Sequence, residues 1–475
     1  MRAHGTTRSV RPTLALAAMS LGVLIAQVDT SVVNLAAKRI GADLGSSVSG
    51  MQWMLDAYNL VYAALLLTAG ALGDLYGRRR IFVTGVVLFA LGSVACAAAP
   101  STGVLLAGRA LSGLGAALEL PMSLVLLSLA FPDPLQRRRA FGIWASCNGL
   151  AFIVGPTLGG VLVDTLGWRS IFYLILPLCV AALVLARLAV EESSSPEGRS
   201  LDLAGQAAAI AALGGFSFLV IEGSQRGWSD APVLAAGAVA IAGAIAFVIA
   251  ERGNRAGLVP FELFRIPAFA TSLSGAALVN FGAYAMVFVV PLYFQTVRGA
   301  SPFGSALHLL PLPLCFFVVS SRWNARIVQA IGPRRAIAGG MATIGSGALL
   351  AAFGPSLPGL PVIEAGLAVA GAGLGIFTAP MNEVGVGSVP RARTGTASGL
   401  FNTARMVGAT LGIAVLGSVF AHFVARGGDG DFITGLRLAL FLGGCGQLAG
   451  AALVVRFVPP DRAAAMQAVA RRGAD

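Results

Sequence analysis

Apolar runs of roughly twenty residues recur along the whole chain, each closed by a cluster of glycine, proline or arginine; a helix needs about 20 such residues to cross a bilayer. The pattern predicts six helices at 13–33, 52–73, 81–99, 103–129, 140–163 and 170–188. Two more are expected at 204–222 and 232–250, and a last six at 269–293, 303–321, 336–354, 361–381, 396–424 and 434–456. The first run has a basic flank but continues past Leu24 into Asp29 without a small-residue cleavage signal, so it reads as a span and not as a removable signal peptide. The expected fold class is an all-α membrane protein with fourteen transmembrane helices.

Composition agrees and narrows the function. Of 475 residues 56% are hydrophobic and only 11% charged, with 61 glycines and a mean hydropathy of +0.82. Soluble domains carry about 25% charged residues, which excludes an ordinary aqueous enzyme, an aqueous binding module and a disordered scaffold. The net charge of +12 is spread as arginines between apolar stretches, Lys38 being the single lysine, so it forms no basic face for nucleic acid. Of the 33 basic residues, 24 fall in the termini and the loops on their side, seven in the opposite loops, and two, Arg109 and Arg405, within spans. Short cytoplasmic loops retain Lys and Arg, so both termini are expected in the cytoplasm. Trp53, Trp168 and Trp228 fall near outer span ends, where interfacial anchors are expected. The five cysteines lie in apolar segments without CxxC spacing, which argues against a disulfide framework and against a metal site.

A faint repeat divides the chain. GALGDLYGRRR at 70–80 follows the second span and ARIVQAIGPRR at 325–335 follows the tenth, each placing a basic turn after a glycine. Two six-helix halves with a pair inserted between them account for this spacing. The expected domains are an N-terminal bundle at 1–188, a linker with two inserted helices at 189–267, a C-terminal bundle at 268–457 and a cytoplasmic tail at 458–475.

Ionisable groups inside spans are costly and by default functional. Four stand out: Asp29 in the first helix, Asp56 near the start of the second, and Arg109 and Glu119 in the fourth. Arg109 needs a partner, which Asp29 or Asp56 at similar depth could supply, whereas Asp56 could equally be a solvated interfacial residue. Glu119 lies about 15 Å deeper by helical rise, near mid-membrane. There it suits a proton carrier, because desolvation disfavours the charged carboxylate, or a structural carboxyl bonded to a neighbouring helix. Glu222, Glu364 and Glu383 are expected as solvated carboxylates at span ends, and His308 as a packing residue.

These stretches resemble the major facilitator superfamily and, within it, the fourteen-helix drug:proton antiporters. GALGDLYGRRR is similar to the signature between helices two and three, with Gly70, Asp74, Gly77, Arg78 and Arg79 in matching places; in the family it forms a charge latch on the cytoplasmic face. AQVDTSVVNLAAKRIGADLG at 26–45 resembles the first-helix signature at Asp29, Thr30 and Asn34, departing at Lys38, where relatives commonly have proline. LLAGRALSGLGAALELP resembles the proton-coupling signature, with Arg109 as its arginine, Ser112 in place of a frequent glutamine and Glu119 where apolar residues are usual. GPTLGG at 155–160 matches the antiporter signature at Gly155, Pro156, Gly159 and Gly160, and 394–417 resembles the thirteenth helix at Asn402, Arg405 and Gly408.

The resemblance implies a multi-pass protein of the bacterial inner (cytoplasmic) membrane that works as a monomer. It implies export of a small hydrophobic, in some relatives cationic, drug or antibiotic by proton antiport and alternating access. The partners are a small-molecule substrate, protons and the lipid bilayer, with no nucleic acid; no cofactor, no metal and no enzymatic step are expected. Two alternatives stand beside it: a metabolite or nutrient transporter of the same fold, and a membrane-embedded transferase.

Overall fold

The computed structural model describes residues 12–195, 202–253, 261–357, 361–389 and 394–458. Apart from Val458, the expected tail at 458–475 lies outside them, as does part of the expected linker. The first six helices are α1 (Pro12–Asp43), α2 (Val48–Tyr76), α3 (Arg78–Ala97), α4 (Thr102–Ala130), α5 (Pro134–Leu166) and α6 (Ser170–Ala189). Next come α7 (Leu203–Arg226) and α8 (Ala231–Gly253), followed by α9 (Pro267–Thr296). The tenth span is built from α10 (Pro302–Leu309), α11 (Pro311–Val318) and α12 (Asn324–Ile331), and the last helices are α13 (Pro333–Phe353), α14 (Val362–Gly387), α15 (Thr394–Val424) and α16 (Asp429–Phe457). Among the described residues 13 spans are long and apolar enough to cross a membrane, or 14 when the two limbs of the bent α2 are taken as one. The protein is an all-α membrane protein. It divides into two compact units, Met1–Ala207 and Ala208–Asp475, the division falling inside α7.

Local chemistry explains where helices begin. Ser47 accepts from the Gly50 amide at 3.3 Å, Asp133 from Gln136 at 2.8 Å and Ser301 from Gly304 at 3.1 Å, each satisfying an orphan donor of a first turn. Proline opens α5, α9, α10, α11 and α13, where its missing N–H costs nothing.

Two spans depart from the straight helices expected. α2 bends by 56° between its limbs Val48–Leu66 and Thr68–Tyr76. The tenth span, expected as one helix at 303–321, is broken at Pro311, whose ring cannot continue the ladder of α10, and passes through a π turn at Val319–Trp323. Directly after the π turn, Asn324 donates from Nδ2 to the carbonyls of Gly375 at 2.7 Å and Ile376 at 2.9 Å on α14.

The repeat expected from the two basic turns is deeper than the turns themselves. Gly77 ends α2 and begins α3 at φ 107°, and Gly332 ends α12 and begins α13 at φ 80°, a backbone region that disfavours any side chain. From each turn a glycine seam follows in the same register. A Cβ on Gly85 of α3 would fall 2.8 Å from the Gly115 carbonyl of α4, and one on Gly92 2.7 Å from the Gly108 carbonyl. In the second unit Gly340 meets the Gly373 carbonyl at 3.0 Å and Gly347 meets Gly366 at 2.6 Å. Hydrocarbon gives helices no hydrophobic reason to associate, so backbone-to-backbone approach of this kind is what joins them. Gly373→Val should therefore lower stability in detergent by about 1–3 kcal/mol, as overpacking does. Gly339→Ala on the facing helix α13, with nothing within 4 Å of the added atom, should be neutral or stabilising; equal melting temperatures for the two variants would refute the seam.

Candidate functional site

Arg109 is the largest fully buried side chain among the described residues, at 1% exposure. It stands on α4 and reaches two other helices. Its Nη1 pairs with Asp29 Oδ2 on α1, and its Nε donates to the Met54 carbonyl on α2 at 2.9 Å. Its guanidinium carbon lies 4.6 Å from the centre of the Tyr58 ring, and the Tyr58 hydroxyl donates back to the Ala26 carbonyl of α1 at 3.5 Å. A desolvated cation is thus met by a carboxylate, a carbonyl and an aromatic face. The backbones come close enough because Gly113 of α4 sits against Tyr58, where a Cβ would lie 2.5 Å from its carbonyl oxygen.

Of the two carboxylates open to Arg109 from its depth, the one it meets is that of Asp29, itself 2% exposed. Asp56 is two residues from both Met54 and Tyr58, about 200° around the helix, and so occupies another face of α2. It is fully buried and not a solvated interfacial residue. Around Asp29 the polar residues of α1 fold onto their own helix: Thr30 donates to Ala26, Ser31 to Val28 and Asn34 to Thr30, at 2.7–2.9 Å. Glu119 is at 0% exposure on α4, and neither carboxyl oxygen has a hydrogen-bond partner among the described residues. The expected structural bond from Glu119 to a neighbouring helix is not among those seen.

The antiporter-like glycines reach the same place. Gly155 of α5 faces Ser31, whose side chain a Cβ would strike, and Gly159 faces Val32 at 2.5 Å, so α5 lies on the turn of α1 that follows Asp29. Pro156 stands inside α5, and Gly160 is buried. In the signature turn Arg78 forks onto Asp74 Oδ1 from Nε at 3.1 Å and Nη2 at 2.8 Å, and Arg79 donates from Nη1 to the Val190 carbonyl at 3.0 Å. Gly70 has open space around it; the close helix contact is made by Gly73, whose Cβ would collide with Met122 of α4.

A family model described as the Major Facilitator Superfamily matches residues 19–413. The chain belongs to that superfamily. This facilitator is 37% identical over 412 residues to the multidrug resistance protein Stp of Mycobacterium tuberculosis, covering 87% of this chain and 76% of that one. It is 34% identical over 467 residues to the methylenomycin A resistance protein of Streptomyces coelicolor, covering 98% and 96%. A crystal structure of a POT family transporter in complex with 5-aminolevulinic acid shares the fold at a TM-score of 0.70 and 13% identity, covering 96% of this chain and 97% of that one. The facilitator is a transporter.

Other expectations of the sequence find different surroundings in it. Trp168 is no interfacial anchor: it is 6% exposed, its Nε1 donates to Asp43 at 2.8 Å, and Arg169 both stacks on it at 4.2 Å and pairs with Asp43 at 2.9 Å. In the second unit Glu364, expected as a solvated carboxylate, is held by His308 Nδ1 at 2.6 Å, and the imidazole lies flat on Phe294 at 4.2 Å. On α15 a Cβ on Gly408 would collide with the Ala277 carbonyl of α9, and Gly412, one turn on, meets Phe281 likewise. Asn402 donates to the Ser398 carbonyl at 3.2 Å, and Arg405 is half-buried with no ion pair among the described residues. All five cysteines are free, and no group of metal-binding side chains occurs among the described residues.

Removing one partner of a buried pair strands the other. Arg109→Leu should cost about 3–5 kcal/mol, read as loss of thermal stability in detergent, and Asp29→Asn added to it should restore part of the loss. Simply additive losses would mean that the pair is not coupled.

Proposed function

We propose that this protein is a proton-coupled antiporter that exports a small, largely hydrophobic drug or antibiotic across the bacterial cytoplasmic membrane by alternating access, with both termini in the cytoplasm. The observation that carries this reading is the ion pair of Asp29 and Arg109, closed inside the first unit with the α5 glycines seated on the next turn of α1. The resistance functions named for its relatives from Mycobacterium tuberculosis and Streptomyces coelicolor support the substrate class.

The chemistry follows from charge in a dry interior. While Asp29 is ionised it holds Arg109, and through it α1, α2 and α4, in one arrangement. A proton arriving on the Asp29 carboxyl cancels that charge and leaves the guanidinium facing neutral groups alone, the Asp29 carboxyl, the Met54 carbonyl and the Tyr58 ring. An uncompensated buried charge costs several kcal/mol, so the protonated protein favours a different packing of these helices. Substrate and proton are coupled because each shifts the same equilibrium, and by linkage the coupling is reciprocal. Glu119 offers a second carboxyl that holds a proton when neutral or meets a cationic substrate when ionised. Every group in this scheme belongs to one chain, so a monomer suffices, and no cofactor enters.

The experiment is a drug-susceptibility panel in an efflux-deficient host, paired with substrate uptake into inverted vesicles under an imposed proton gradient. The wild type should confer resistance and drive uptake, whereas Asp29→Asn and Glu119→Gln should each reduce gradient-driven uptake by about tenfold or more, the scale of one lost buried charge interaction. The reading fails if both variants transport like the wild type. Gly159→Leu, which pushes α5 off Val32, should reduce uptake without abolishing the Asp29–Arg109 coupling measured by stability.

A further inference from the structure

The turn between α2 and α3 has a problem that its own residues cannot solve. The first amides of any helix lack partners within it, and a polar side chain at the cap normally accepts one of them. Here the cap is Gly77, held at φ 107°, which has no side chain to offer. The acceptor comes from far along the chain. Glu192, three residues past the end of α6, accepts the Arg79 amide on Oε1 at 3.0 Å and the Arg80 amide on Oε2 at 3.1 Å. A carboxylate on a helix N-terminus also meets the positive end of its dipole. The space it occupies exists because residue 77 is glycine: a Cβ there would lie 2.7 Å from the Glu192 carboxyl carbon.

The neighbours of Glu192 are tied to the same turn by backbone. The Arg78 amide donates to the Ser193 carbonyl at 2.9 Å, and the Ser195 amide to the Asp74 carbonyl at 2.9 Å. A second tie lies on α2 itself. Gln206, in the first turn of α7, donates from Nε2 to the Ala64 carbonyl at 2.6 Å, and its Oε1 accepts from the Thr68 hydroxyl. Ala64 and Thr68 flank the 56° bend of α2, and a side chain bonded into the ladder is a recognised cause of such bends. At the corresponding turn of the second unit Pro333 replaces the Arg78 position and removes an amide that would need a partner, and the cap Gly332 has no side-chain hydrogen bond.

We infer that Glu192 and Gln206 are positioning residues of the transport cycle: Val190–Ser195 forms a strap that holds the α2–α3 signature turn, and Gln206 staples the bend of α2 above it, so that together they set turnover and not substrate affinity. The inference rests on the transport reading for its kinetic consequence, but not for its geometry. Glu192→Ala removes both acceptors, Glu192→Gln keeps one, and Gln206→Leu removes the staple alone.

Hydrogen exchange on the purified full-length protein reads the geometry. Exchange at the Arg79 and Arg80 amides should rise about tenfold in Glu192→Ala, less in Glu192→Gln, and not in Gln206→Leu, which should instead loosen the amides around Thr68. Ethidium transport into proteoliposomes under a proton gradient reads the kinetics: Glu192→Ala should lower the saturating rate about fivefold while KM stays within about twofold. Unchanged exchange in Glu192→Ala overturns the strap, and raised exchange with an unchanged rate overturns its positioning role. A wild type that moves no ethidium counts against the transport reading and leaves the strap to be judged by exchange alone.

Discussion

A guanidinium withdrawn from water into a bundle of apolar helices has to be satisfied by what the bundle can bring to it, and the first unit is organised around that demand. Arg109 takes a carboxylate from α1, a carbonyl from α2 and the face of Tyr58. Each contact fixes a distance between backbones, and those distances are met only because small residues stand where the helices cross: Gly113 against Tyr58, Gly115 against Phe89, Gly155 and Gly159 against the turn after Asp29. Many of the glycines that look like mere abundance in the composition are the spatial allowance for one buried ion pair and the helix seams beside it.

The signature turn follows a similar logic at the end of the bundle. A backbone conformation that admits glycine removes the side chain that would have capped the next helix, and a residue more than a hundred positions away completes it. The forked Arg78–Asp74 contact is then one part of a wider polar junction in which the segment after α6 takes part with its backbone as well as its side chains.

Much of this was legible in the sequence, and for physical reasons. Spans are dictated by the length of apolar runs, so helix order and most boundaries could be read directly, and the intramembrane charges announced themselves by their cost. The choice between Asp29 and Asp56 as the partner of Arg109 stayed open because depth alone does not distinguish them; it depends on which face of α2 turns inward. The break at Pro311 was written in the prolines of the tenth span but outweighed there by continuous hydropathy, and the bend of α2 has no proline to mark it. Glu192 fell inside the expected linker, His308 read as a packing residue and Glu364 as a solvated carboxylate at a span end, since their meanings arise only from chain segments distant in sequence.

The glycine seams bear on where such a protein can yield. Backbones in direct contact along α3 and α4, and again along α13 and α14, leave no compressible layer of side chains between them, so each pair behaves as a plank that tilts but does not shear. Compliance is then to be sought where a helix is itself interrupted, in the bent α2 of one unit and the thrice-segmented tenth span of the other. Each unit thus pairs one stiff element with one jointed element, and the joints are built differently: a bend without proline in one unit, a proline break and a π turn in the other.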